Sequence, residues 1–271
     1  MFPPIINRTY DGLIPALLSL NLSDCQFPRP RCAIIAVAAP IGKVDIRMTN
    51  LEWDIVPKDI LLALGLETII IMNDFEAIAL ALPTLENKHL KKIGVGGRSV
   101  KYAPMVVLGP GTGLGVACVL HAVGRWIVLP SEGGHIKLSP QTEEELDLWP
   151  YLSKSITNIK AEDLLCGNGL VRLASSLAIF ANSTESYTSP EDVTKGSRYK
   201  QAIPTQAVHM FIRLLGRLAG DMALTFLARG GVYISGGVAT KIEDFLTIET
   251  FRTSFEDKES HKELLSKSLR T

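Results

Sequence analysis

Apolar residues along this chain fall into short runs separated by turn-forming and polar clusters. Residues 32–38 (CAIIAVA) form an almost wholly apolar run rich in branched side chains, the pattern of a strand buried on both faces. The turn signal Ala39-Pro40-Ile41-Gly42 closes it. Residues 44–48 (VDIRM) alternate apolar and polar, which predicts an adjacent antiparallel strand. A helix is predicted over 57–66, stopping near Gly65, then a second buried strand at 68–72 (TIIIM). A helix over 74–82 follows, with Asn73 or Asp74 near its N-terminus.

A second half begins near Met105. Residues 105–108 (MVVL) and 116–120 (VACVL) predict two strands joined by the glycine-rich turn GPGTGLG at 109–115. Such a ribbon turns backbone amides toward an anion at its tip. The clearest helix is predicted over 206–229. There Val208, Phe211, Ile212, Leu215, Leu218, Ala219, Met222 and Phe226 repeat at helical spacing along one face. Gly230-Gly231 ends it, and a strand at 232–234 breaks at Ser235-Gly236-Gly237. Residues 183–200 are polar, contain Pro190, and read as an exposed loop or lid edge. No repeat of solenoid length is present. Alternating strands and helices define an α/β protein, and such sheets bind ligands outside the carboxyl ends of their strands.

Composition narrows the partners. The 271 residues carry 28 Lys+Arg and 28 Asp+Glu, so no net positive field draws the chain to nucleic acid or an anionic membrane. With 46% hydrophobic residues the chain can bury a large core and does not read as disordered. Its apolar runs are too short for the ~20 residues that a membrane helix needs. The start MFPPII has neither the basic opening nor the cleavage site of a signal peptide. Cys25, Cys32, Cys118 and Cys166 have no C-x-x-C spacing and read as reduced thiols of a cytoplasmic protein.

Four polar clusters interrupt the apolar pattern. Asn73 and Asp74 follow a strand directly; Asp74 fits a helix N-cap, or a carboxylate able to take a proton from a substrate hydroxyl. The turn GPGTGLG is either a tight hairpin or a phosphate cradle of backbone amides and the Thr112 hydroxyl. It is no Walker A loop, since no Gly-Lys-Ser/Thr follows, and no dinucleotide fingerprint, since a strand and not a helix follows. Glu132 and His135 bracket two glycines, an arrangement suited to a surface turn or to polyol recognition; no second cluster supports a metal. Glu162 opens a short helix, where its charge also favours the helix dipole.

Taken together and in this order, these clusters resemble the proteobacterial-type glucokinases, ATP-dependent hexokinases of the actin-like ATPase superfamily. The matching stretches are TYDGL, MTNLEW, MNDFEA, LGPGTGLGVA, PSEGGHI, GNGLVRL, GRLAGDMAL, GGVYISGGV and FRTSFEDK. The resemblance implies two ribonuclease-H-like α/β lobes around a central cleft: a small lobe over 1–103 and a large lobe over 104–271. It implies glucokinase activity, phosphorylation of the glucose 6-hydroxyl by ATP at the entry to glycolysis. Asp74 would then be the general base, and Asn50, Asn73, Glu132, His135 and Glu162 would hold the sugar. Gly111, Thr112 and Gly113, with Ser235, Gly236 and Gly237, would hold the nucleotide. Mg²⁺ would arrive with ATP and have no dedicated protein site. The implied protein is cytoplasmic and a homodimer, without nucleic-acid or membrane partners.

Two departures accompany the resemblance. The family opens with a ribbon bearing a DxGGTN-type phosphate loop, and it continues past HKELLSKSLRT into another strand and helix. The expectation is therefore a glucokinase truncated at both ends. Its alternative is a catalytically impaired remnant that binds sugar or regulates.

Overall fold

The computed structural model describes residues 9–20, 29–39, 46–47, 53–93, 99–246 and 249–266. The chain forms two compact units, Met1–Ala77 and Ile78–Thr271. The sequence-based lobe boundary at 103 falls inside the second unit, to whose core Ile93 belongs.

In the first unit, α1 (Leu13–Leu18), β1 (Cys32–Val37), β2 (Ile46–Arg47), β3 (Asp54–Ile55), α2 (Pro57–Leu64) and β4 (Thr68–Asn73) follow in order. β1 and β4 run parallel, with Cys32 opposite Thr68 and Val37 opposite Asn73. Ile35, Val37, Ile69 and Ile71 pack with Leu13, Ile14 and Leu17 of α1 and Ile60 and Leu64 of α2. The opposite face carries Ile34 and Ile70, 68% and 47% exposed. These strands are therefore not buried on both faces as their apolar runs suggest; α1 and α2 both pack on the Ile35 side. β2 pairs antiparallel with β3 and, among the described residues, not with β1. The remainder of the 44–48 strand lies outside the described residues. α2 begins with Pro57, whose fixed φ suits a first helical position, and ends at Gly65. The Leu66 N–H reaches back to the Leu61 carbonyl at 2.9 Å.

The second unit is built on β5 (Met105–Pro110), β6 (Leu114–Ala122), β7 (Arg125–Ser131) and β8 (Gly231–Ile234), in the order β7-β6-β5-β8. β5 and β8 are parallel; the other pairs are antiparallel. α3 (Asp74–Ala81) enters this unit from β4. Its further helices are α4 (Glu143–Ser153), α5 (Ala161–Leu164), α6 (Gly167–Phe180), α7 (Pro190–Arg198), α8 (Ala202–Thr225), α9 (Gly237–Lys241), α10 (Glu243–Leu246), α11 (Glu249–Glu256) and α12 (Lys262–Ser266). Val106 and Leu108 of β5 and Val116 of β6 share a core with Leu170 and Leu173 of α6 and with Phe211 and Leu215 of α8. Each such side chain contributes roughly 1.5–3 kcal/mol by leaving water.

Two sequence expectations change here. The long helix runs from Ala202 to Thr225, not 206–229. Pro204 is tolerated because the first-turn amides need no helical partner. Leu227 then adopts a left-handed φ of 46°, and the Ala228 N–H returns to the Ala223 carbonyl at 2.9 Å, closing the helix before the glycines. Residues 183–200 are not a loop throughout, because α7 forms there. The Ser189 hydroxyl accepts from the Asp192 N–H and the Asp192 carboxylate accepts from the Ser189 N–H, both at 3.1 Å, and Val193 is fully buried.

α4 and α8 are joined by a buried ion cluster. The Glu145 carboxylate, without solvent exposure, accepts from Arg213 Nε at 2.9 Å, Arg217 Nη2 at 2.5 Å and the Gln141 N–H at 2.8 Å. Burial alone would raise this carboxyl, but the bonds from Arg217, Gln141 and Arg213 outweigh it and hold it below the ordinary 4.5. Cys32, Cys118 and Cys166 are unpaired thiols, the last two buried; Cys25 lies outside the described residues. Among the described residues no helix is long and apolar enough to cross a membrane.

Candidate active site

In the first unit, β4 delivers Asn73 to the start of α3. The Asn73 side-chain amide donates to the Ala39 carbonyl at 3.2 Å, and its oxygen accepts from the Phe75 N–H at 2.9 Å. Asp74 Oδ1 accepts from the same N–H at 3.0 Å. The two side chains thus share the capping of α3, while Asp74 Oδ2 makes no hydrogen bond among the described residues. Asn50 lies outside the described residues.

The remaining candidates converge in the second unit, around the turn from β5 to β6. The Gly111 N–H donates to the Gly113 carbonyl at 2.8 Å, and the Gly111 carbonyl accepts from the Gly167 N–H at 2.9 Å, joining the turn to the first residue of α6. The Thr112 and Gly113 amides make no hydrogen bond among the described residues. Glu162 Oε2 accepts from the Leu114 N–H at 2.9 Å, so the carboxylate lies against the turn. A Cβ on Gly113 would stand 2.5 Å from that oxygen.

Leu114 also receives the Glu132 and His135 segment. A Cβ on Gly134 would stand 2.1 Å from the Leu114 carbonyl, so the single 3-10 turn Gly133–His135 lies flat on the start of β6. The chain then pairs with the lead into α5: Leu138 N–H to the Ile159 carbonyl at 3.0 Å, and Ala161 N–H to the Ile136 carbonyl at 2.8 Å. That pairing brings Lys160 Nζ to 3.2 Å from His135 Nδ1, while His135 Nε2 lies 3.7 Å from Glu132 Oε2.

Ser235 and Gly236 close the other side of the turn. The Ser235 N–H donates to the Leu108 carbonyl at 2.9 Å, and Gly236 (φ 95°) approaches so closely that a Cβ would lie 2.6 Å from the Pro110 carbonyl. Gly237 opens α9. Gly111, Thr112, Gly113, Glu132, His135, Glu162, Ser235, Gly236 and Gly237 are therefore neighbours in one unit; Asn73 and Asp74 belong to the other.

Sequence reasoning missed Lys160, the Gly167 amide and Cys166. The Cys166 sulfur caps α6 by accepting from the Gly169 N–H at 3.3 Å, and burial pushes its thiol up. No local pattern could reveal Lys160, whose partner His135 is 25 residues away. Among the described residues, no group of three or more His, Cys, Asp or Glu is placed to hold a metal.

Two glutamates and an imidazole thus gather near two glycine-rich turns at one end of this sheet. A solved glucokinase from an Antarctic psychrotroph superposes with a TM-score of 0.86 and 28% identity, over 96% of this chain and 80% of that one. A ROK family glucokinase from Streptomyces griseus, solved in complex with glucose and AMPPNP, shares the fold at a TM-score of 0.54 and 17% identity, over 94% of this chain and 79% of that one. The glucokinase family model matches residues 5–268, and the chain belongs to the glucokinase family. The glucokinase of Mesorhizobium japonicum is 39% identical over 264 residues, which cover 97% of this chain and 77% of that protein. Phosphorylation of glucose is the reaction that this membership assigns.

Proposed function

We propose that the chain transfers the γ-phosphoryl group of ATP to the 6-hydroxyl of glucose, with Asp74 as the general base. The observation that carries this reading is the double role of Leu114. Its N–H binds Glu162 and its carbonyl lies close against Gly134 in the turn bearing His135, so hydroxyl-binding groups stand beside an amide-rich glycine turn. Glu132 and Glu162 accept from sugar hydroxyls, His135 and Asn73 add polar contacts, and Asn50 completes the sugar set. The Thr112 hydroxyl and the Thr112 and Gly113 amides face the phosphates, with Ser235, Gly236 and Gly237 on the nucleotide side. A cavity of about 280 Å³ bordered by Ser235 and Gly236 supplies apolar walls, including Ile93 and Ala239, for the nucleotide's ring. Mg²⁺ accompanies ATP and neutralises its phosphate charge when bound. Asp74 takes the hydroxyl proton as the oxygen attacks phosphorus; beyond that, phosphoryl transfer needs mainly positioning and charge stabilisation.

A coupled assay of glucose 6-phosphate formation with ATP and Mg²⁺ tests the reading. Folded protein that binds glucose but forms no product would overturn it.

Two glycine substitutions separate site from scaffold. Gly113→Ala meets the end of the flexible Glu162 side chain, so it is expected to cost under about 1 kcal/mol of stability while raising the KM for glucose about tenfold. Gly134→Ala meets the Leu114 backbone carbonyl, and about 2–4 kcal/mol of stability should be lost. Denaturant melts and KM measurements on both variants check this contrast.

The proposed assembly is a cytoplasmic homodimer with no nucleic-acid or membrane partner, which the equal counts of 28 basic and 28 acidic residues favour. Light scattering coupled to size-exclusion chromatography is expected to give twice the chain mass of 29.5 kDa.

A further inference from the structure

We propose that Lys160 is a positioning residue for glucose: its ammonium holds His135 as the neutral tautomer with hydrogen on Nε2, making the ring a donor to a sugar hydroxyl. This rests on the reading that His135 faces the sugar.

The argument is one of donors and acceptors. A lysine ammonium has three donors and no acceptor, whereas a neutral imidazole has one of each. Lys160 Nζ lies 3.2 Å from His135 Nδ1. That contact is attractive only when Nδ1 presents its lone pair, so the ring's hydrogen sits on Nε2. A hydrogen on Nδ1, in the other tautomer or in the imidazolium, would point at three N–H groups of like polarity. Nε2 is 3.7 Å from Glu132 Oε2, too far for a good hydrogen bond, so this N–H remains open to a ligand.

The backbone holds Lys160 in place. Its own N–H donates to the Asp163 carboxylate at 2.8 Å, and it forms an isolated antiparallel bridge with Lys137. Lys160 also stands two residues before Glu162, so one short segment supplies both a sugar acceptor and the group that sets the opposing donor.

This donor meets a chemical need. Glu132 and Glu162 only accept, and each takes a hydroxyl hydrogen. The lone pairs of the same hydroxyls still require a donor, because a polar group desolvated without a partner weakens binding. His135 fills that need in the state that Lys160 imposes.

Three proteins test this: the wild type, Lys160→Met and Lys160→Arg. Two-bond ¹H–¹⁵N spectra at about pH 8.5, above the ordinary imidazole range, with His135 assigned through a His135→Gln variant, should show the wild-type ring with hydrogen on Nε2 alone. Lys160→Met should mix the forms and raise the KM for glucose about tenfold, with kcat and the KM for ATP within about threefold. Lys160→Arg, also a pure donor, should restore both the spectrum and the KM to within about threefold of the wild type. A wild-type ring with hydrogen on Nδ1, or a glucose KM unchanged in Lys160→Met, overturns the proposal. Parallel losses in kcat and in the KM for ATP would also overturn it, since they mark a general structural role. The spectra need no turnover. A wild type that phosphorylates nothing would sink the kinase reading while leaving the tautomer result legible.

Discussion

Asp74→Asn is expected to lower kcat for glucose phosphorylation by about 10²–10⁴-fold, the range for removing a positioned acid–base group. The substitution is nearly isosteric and keeps an oxygen where Oδ1 accepts from the Phe75 N–H, so the start of α3 should survive. What disappears is basicity: an amide cannot take the hydroxyl proton as the oxygen attacks phosphorus. The coupled assay should therefore collapse while glucose affinity by calorimetry stays within about threefold and the melting curve is unchanged. Retention of more than a tenth of the parent kcat would remove Asp74 from the role of base. Loss of glucose binding together with kcat would instead make it a sugar-holding group.

The largest stability effect is expected at a distance from the chemistry. Glu145→Ala should cost about 3–5 kcal/mol, because it leaves Arg217, 7% exposed, as an uncompensated buried charge beside Arg213. Glu145→Gln should lose less, since an amide oxygen still accepts from Arg217 and Gln141, though without charge. The ion cluster also sets an acid limit. The Glu145 carboxyl titrates below its ordinary value in the folded protein, so its stabilisation is complete above the unfolded value near 4.5. It is lost as pH falls through the lower folded value. Melting curves of the parent against Glu145→Gln should diverge at neutral pH and converge progressively as the pH falls below 4.5. Equal melting temperatures at pH 7 would show that the cluster contributes nothing.

The candidate site was more legible in the sequence than the scaffold that holds it. Asp74 follows a strand, Glu132 and His135 bracket a glycine pair, and Glu162 opens the short α5 ahead of Gly167 and Gly169, so each polar residue stands out among apolar runs. The strand at Cys32–Val37 was also legible, but its burial was not, because periodicity reports the apolar character of a run and not which faces are covered. α7 hid behind polar composition and Pro190; the signal was the Ser189 and Asp192 capping box with proline at the first helical position. Glu145 with Arg213 and Arg217, like Lys160 with His135, could not be read at all. Their partners lie 68, 72 and 25 residues away, and only the folded chain brings those side chains together.

The parallel pairing of β5 with β8 has a consequence for how this protein comes to exist. Leu108 lies beside Ile234, and the two glycine-rich turns hang from the ends of that one ladder. Most of the second unit's chain lies between them, including the whole of α8. Closing so long a loop costs entropy that returns only once the intervening helices have packed, so this pairing is expected to form late. On a ribosome, β5 and β6 emerge and can form their hairpin long before β8 exists. Until the chain has been made past Gly237, the flank of β5 that β8 will cover stands open as a sheet edge, available to other chains. The glycine-rich end of β5 therefore completes its pairing only after the whole of α8 and β8 have been made.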